Sequence, residues 1–231
     1  RKSWIRFTGI VLAVPVVLLS IAIAVLYLKQ DGLIQSEINA LNKNYKGEIK
    51  VGDTHLEPFT NFPYISIKVD NVRIHESKAS GAEELLHVAD IYAGFNIWDI
   101  LKGNYDVKNL RIEDGFLNLI YHKDGTLNIQ NALATNSDTE ESAPLDIHLK
   151  NIELRNIDIH KLDETSNVDI EAFVYSAKGG FQTAGELINA HIDTEFELNV
   201  VDNGDTTYIK HKHFEFHTDL SLNDQSGLLV L

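Results

Sequence analysis

The run Ile188-Asn-Ala-His-Ile-Asp-Thr-Glu-Phe-Glu-Leu-Asn-Val200 decides the fold. Ile188, Ala190, Ile192, Thr194, Phe196, Leu198 and Val200 form one dry set, and Asn189, His191, Asp193, Glu195, Glu197 and Asn199 between them form a wet one. A period of two means a β-strand with one face in an apolar environment. These 13 residues would cover about 43 Å at roughly 3.3 Å per residue, far beyond the common strand of five or six. A strand of that length, dry on one side, has to curve or to pack its dry face against something.

The same alternation recurs outward along the chain, at Ile65, Ile67, Val69, at Ala89, Ile91, Ala93, Phe95, Ile97, and at Leu145, Ile147, Leu149. Its phase slips by one residue at similar phrases, Asn71-Val-Arg-Ile, Asn109-Leu-Arg-Ile, Asn151-Ile-Glu-Leu and Asn156-Ile-Asp-Ile. A slip turns every later side chain to the opposite face unless a bulge or corner absorbs it. Asn tolerates the left-handed backbone of such corners, while ordinary hairpin turns explain the spacing equally well. Asp124-Gly125 and Asn203-Gly204 read as hairpin turns, and Trp98–Lys102 before Gly103 reads as one helical turn. Ala134–Pro144 carries no large apolar side chain and reads as a linker.

Phe7–Leu28 is 22 residues without a charged side chain, or about 33 Å of helix, enough to cross a bilayer. Trp4 and Tyr27 bracket the run as interfacial rings, and Pro15 lies inside it. Arg1, Lys2 and Arg6 precede it, so the positive-inside rule keeps the N-terminus cytoplasmic and sends the bulk across, into the periplasm if the membrane is a bacterial inner membrane. Ile34, Ile38 and Leu41 continue as an amphipathic helix up to Gly47. The expected divisions are 1–29 (cytoplasmic tip and anchor), 30–133 (α+β region), 134–144 (linker) and 145–231 (further β units). The apolar end, Gly227–Leu231, reads like a strand without a partner, as if the chain were the N-terminal part of something longer.

The composition closes several doors. The chain holds 20 Lys+Arg against 34 Asp+Glu, net −14, which repels phosphate backbones and excludes nucleic-acid binding by counterion release. With no Cys, thiolate metal sites, disulfides and Cys nucleophiles are excluded. His211, His213, Glu215 and His217 alternate on one strand face opposite Phe214 and Phe216. That is a solvated face opposite a buried one, whereas zinc sites draw on several elements. Neither a metal nor a cofactor is expected, and no constellation argues for an enzyme.

The single N-terminal span, Phe62-Pro63 before Ile65-x-Ile-x-Val, Asn71-Val-x-Ile, Val88-Ala89-Asp90 and Phe95-x-Ile-x-x-Ile100-Leu101-x-Gly103 together resemble the N-terminal region of AsmA-family proteins. Val107-x-x-Leu110-x-Ile112, Phe116-x-Asn118-Leu119 and Asp124-Gly125-Thr126-Leu127-Asn128-Ile129 resemble that family's next strands and Gly-x-x-Asn hairpin, so the likeness covers roughly residues 1–133. It implies kinship with bridge-like lipid transfer proteins: an inner-membrane-anchored, curved antiparallel sheet with an apolar groove, moving phospholipids toward the outer membrane and supporting outer-membrane biogenesis.

The expected fold is therefore mainly β, a transmembrane helix followed by a curved antiparallel sheet open as a groove. The lining candidates are Ile65, Ile67, Val69, Ile91, Phe95, Ile97, Leu145, Ile147, Leu149, Ile188, Ile192, Phe196 and Leu198, and the expected partners are phospholipids, the inner membrane and envelope proteins. The alternative is an anchored periplasmic scaffold with a closed core, acting by protein–protein contact. Periodicity cannot separate a groove from a core.

Overall fold

The computed structural model describes residues 2–61, 64–135, 150–184, 187–223 and 229–230. Helix α1 (Lys2–Asn44) leads into a ten-stranded sheet formed by β1 (Glu48–Lys50), β2 (Thr54–Asn61), β3 (Tyr64–His75), β4 (Glu84–Asn96), β5 (Val107–Tyr121), β6 (Asn151–Asp163), β7 (Val168–Ala184), β8 (Leu187–Asn203), β9 (Thr206–Asn223) and β10 (Leu229–Val230). Two short helices accompany it, α2 (Ile97–Leu101) between β4 and β5 and α3 (Asn128–Leu133) after β5. The chain is mainly β, and the sheet is curved and open: its order runs from β1 and β3 through β4 to β10, with β2 beside β1 on the same edge of β3.

The sheet is mixed rather than purely antiparallel. β5 and β6 run parallel, in register from Asn109↔Asn151 to Tyr121↔Asp163. Parallel neighbours need a crossover, because the chain leaving one strand must return to the start of the next. Residues 122–150 make that return, including α3 and the expected linker, and the sheet continues through the junction. Leu145, Ile147 and Leu149 lie outside the described residues.

All strands share two ends. The α2 end holds Tyr64, Asn96, Val107, Asn151 and Gly180; the α3 end holds His75, Tyr121, Asp163 and Val168. At the α2 end Asn96 caps its helix, its side-chain oxygen accepting from the Trp98 N–H at 2.8 Å, and Gly103 ends the turn at φ +83°. Asn203-Gly204 makes the β8–β9 hairpin, with Gly204 at φ +58°. Asp124-Gly125 makes a turn as expected, but helix α3 follows it instead of a returning strand, and the Asn128 amide is buried with its Nδ2 donating to the Asn118 carbonyl at 3.0 Å.

The phase slips are corners aligned across the sheet. Asn71 (φ +50°) on β3, Asp114 (φ +57°) on β5 and Asn156 (φ +52°) on β6 are left-handed. They fall in one transverse line with Ala89, because the pairs on either side, Asp70↔Asp90 with Val72↔Val88 and Asp90↔Glu113 with Val88↔Gly115, keep register. Asn156 Nδ2 donates to Asp114 Oδ1 at 2.9 Å, and on β7 a bulge at Tyr175 ends the line. A left-handed residue inverts the alternation of its strand, and since several strands invert together the dry face stays on one side while the sheet creases. At this crease Gly115 is obligatory by space: a Cβ there would stand 2.1 Å from the His87 carbonyl oxygen. Asn109 and Asn151 do not make corners; they pair with each other where β5 and β6 begin their ladder.

Candidate functional site

The dry side chains join into rows that cross the strands. One row runs Val69–Ile91–Ile112–Leu154–Ala177–Thr194–Phe216, and the next, beyond the crease, runs Val72–Val88–Gly115–Ile157–Val174–Phe196–Phe214. The rows are continuous from β3 to β9, but their surroundings change along the way. Ile65, Ile67, Val69, Val72, Val88 and Phe95 are sealed in a core that α1 closes with Ala22 and Leu26 and that α2 closes with Ile100. Ala22, Leu26 and Gln30, four residues apart, form the buried stripe of α1. Ile157 on β6 and Val174 on β7 still belong to that core, and beyond them no helix lies on the face among the described residues. Ile192, Phe196 and Leu198 are half-buried by their neighbours, while Phe214 and Phe216 on β9 are 39% and 53% exposed.

The expected lining residues thus divide. Ile65, Ile67, Val69 and Phe95 are core; Ile91 is half-buried at the edge of that core; Ile97 is the first residue of α2 rather than a strand position. Ile192, Phe196 and Leu198 belong to the uncovered part, and Ile188 shares their strand. Phe214 and Phe216, expected on a buried face, are exposed instead and extend the dry surface to β9, where the Phe214 ring stacks on Phe196 with centroids 5.3 Å apart. Two lysines, Lys161 on β6 and Lys212 on β9, share this face toward the α3 end, Lys161 lying 5.6 Å from the Tyr121 ring centroid.

The opposite face is a ladder of charge. Lys68 sits between Asp90 (2.9 Å) and Asp70 (3.1 Å), Arg155 bridges Glu113 and Glu153, and Lys178 reaches Glu153. Donating hydrogen bonds to Asp90 and then to Asp70 holds the Lys68 ammonium well above its ordinary value. Burial pushes the Asp70 carboxyl up, but the bond and charge of Lys68 outweigh it and the net direction is down. On β8 and β9, His191 Nδ1 meets Asp219 at 2.6 Å and its Nε2 meets Asp193 at 2.8 Å, while His217 Nδ1 meets Asp193 at 2.5 Å. The Asp219 bond, then the Asp193 charge, raise the His191 pKa; the His217 bond lowers that of Asp193. His211 is drawn to Glu197 and His213 to Glu195, so the histidines of β9 are spent on cross-strand pairs.

Among the described residues one helix, near the start of the chain, is apolar and long enough to cross a membrane, with mean hydropathy 1.7 within Val17–Asn44. The helix continues through Pro15, and the backbone alone is described at Trp4 and Pro15; Tyr27 is exposed. Compared with protein-family models and with curated proteins, the chain matches none.

Proposed function

We propose that the chain is a membrane-anchored, AsmA-like protein that holds phospholipid acyl chains along the uncovered part of its sheet, at the periplasmic side of a bacterial inner membrane. The observation that carries this reading is the pair of neighbouring rows that end on β9 in Phe214 and Phe216, apolar and exposed on a chain with net charge −14. A water-borne acyl chain of about 16 methylenes costs on the order of 13 kcal/mol at ~0.8 per methylene. A dry wall removes much of that cost and needs no catalytic group. Lys161 and Lys212 border the wall where a head-group phosphate would rest. The second reading, a protein-docking platform, draws on the same bare phenylalanines.

Photo-crosslinking tests the two together. A benzophenone side chain at Ile192 or Phe214 in the full-length chain is expected to form phospholipid adducts visible by mass spectrometry, and one at Glu195 on the polar face is not. Adducts to protein alone at both dry positions would reject lipid holding in favour of docking.

A further inference from the structure

The level at which α2 meets α1 fixes how the sheet stands on the membrane. Among the described side chains the buried stripe of α1 begins at Ala22, inside the uncharged run that ends at Leu28, and joins Ile97, Ile100 and Leu101 of α2 in one cluster. One turn further on, Lys29 Nζ lies 4.9 Å from the Tyr105 ring centroid, just after α2, and Asp31 accepts a hydrogen bond from Thr54 of β2. If α2 stood clear of the bilayer, the apolar run left to cross it would be Phe7–Ile21, 15 residues, or about 22 Å against a hydrocarbon core of about 30 Å. The full run to Leu28 reaches about 33 Å, so α2 has to lie at the membrane surface.

The surface at that level suits the position. Trp98 on α2 is 60% exposed and Phe59, near the Asn61↔Tyr64 end of β2, is 68% exposed. Tyr27 and Leu28 are bare on α1, away from its buried stripe. Such side chains in water would be a liability, whereas in the head-group zone an indole and a phenyl ring are at their preferred depth. Lys29 and Lys102 stand beside them as partners for lipid phosphates.

We propose that the α2 end of the sheet is an interfacial foot: Trp98 and Phe59 insert into the head-group layer of the membrane that α1 enters, and the α3 end points away from it. This rests on α1 crossing a bilayer and not on what the sheet holds. The chain has two tryptophans, so Trp4→Phe leaves Trp98 as the sole reporter and Trp98→Phe leaves Trp4. Both full-length variants go into phosphatidylcholine–phosphatidylglycerol vesicles with plain acyl chains or chains brominated near the head-group end. The expected result is blue-shifted Trp98 emission that the bromines quench, as suits a ring in the head-group zone. Quenching of Trp4 with water-like, unquenched Trp98 would mean that α1 inserts while the foot stands clear, which overturns the proposal. Quenching of neither overturns it through α1.

Discussion

The β3–β5 part of the sheet and its β8–β9 part carry the same alternation and share the same rows, yet one lies in a closed core that still reaches Ile157 and Val174, and the other ends on exposed rings. Ile67 and Val88 are fully buried beneath helices; Phe214 and Phe216, in register with that face, are open. The difference lies in what the chain lays over each part, and the covering elements come from α1 and α2, far from the strands they do not reach. A dry face is thus a property of a strand, while a filled one is a property of the assembly.

The contrast can be broken most forcefully by charge. Val88→Asp should unfold the chain, since an unpaired buried carboxylate costs several kcal/mol, about 3–5. Phe216→Asp should shift stability by only about 0.5 kcal/mol. Thermal melts followed by circular dichroism compare them, and equal losses would mean that the wall is as closed as the core. Next in size is Gly115→Ala, expected to cost about 1–3 kcal/mol because β4 and β5 must part at the crease. Denaturant titration reads it, and a neutral result would remove the crease as a point of close approach. Asn156→Val is expected to lose about 1–3 kcal/mol through its left-handed backbone and its bond to Asp114, with Asn156→Gly recovering most of it.

The smallest effect belongs to the polar face. His191 should titrate above its ordinary 6.5, and Asp219→Asn should bring it down, as followed by its ring resonances. Because the folded pKa is raised, the contribution of His191 is complete below the unfolded value and fades as pH rises through the folded one. Asp193 is shifted downward, so its contribution is present above its unfolded value and fades as pH falls. The β8–β9 pairs are therefore firmest in mildly acidic solution, and a pH series of melts should place that optimum between the two titrations.

Much of this was legible in the residues. The parity of Ile188–Leu198, the helical turn at Trp98, the hairpin at Asn203-Gly204 and the corners at Asn71 and Asn156 follow from side-chain period and from what Asn and Gly backbones tolerate. A register shift at Asn199, by contrast, turns Val200, expected on the dry face, to the polar one beside Glu171 and Lys210. The corner at Asp114 is not legible from the repeating phrase, which opens at Asn109 instead, although either residue type can occupy a left-handed corner. The parallel step was hidden because parity is the same for parallel and antiparallel neighbours. Coverage was hidden too, because no strand reports the helix above it, and Phe214 and Phe216 were misjudged on that account.

The parallel junction also bears on how the molecule comes together. Within β3–β5 and within β6–β9 each strand pairs with the one just made, but β5 and β6 meet across a constant offset, Asn109 to Asn151, of 151 − 109 = 42 residues. Closing so long a loop carries more entropy than any of those hairpins and is repaid only when the ladder zips. The two blocks can therefore form early and separately, leaving their seam as the slow step of folding.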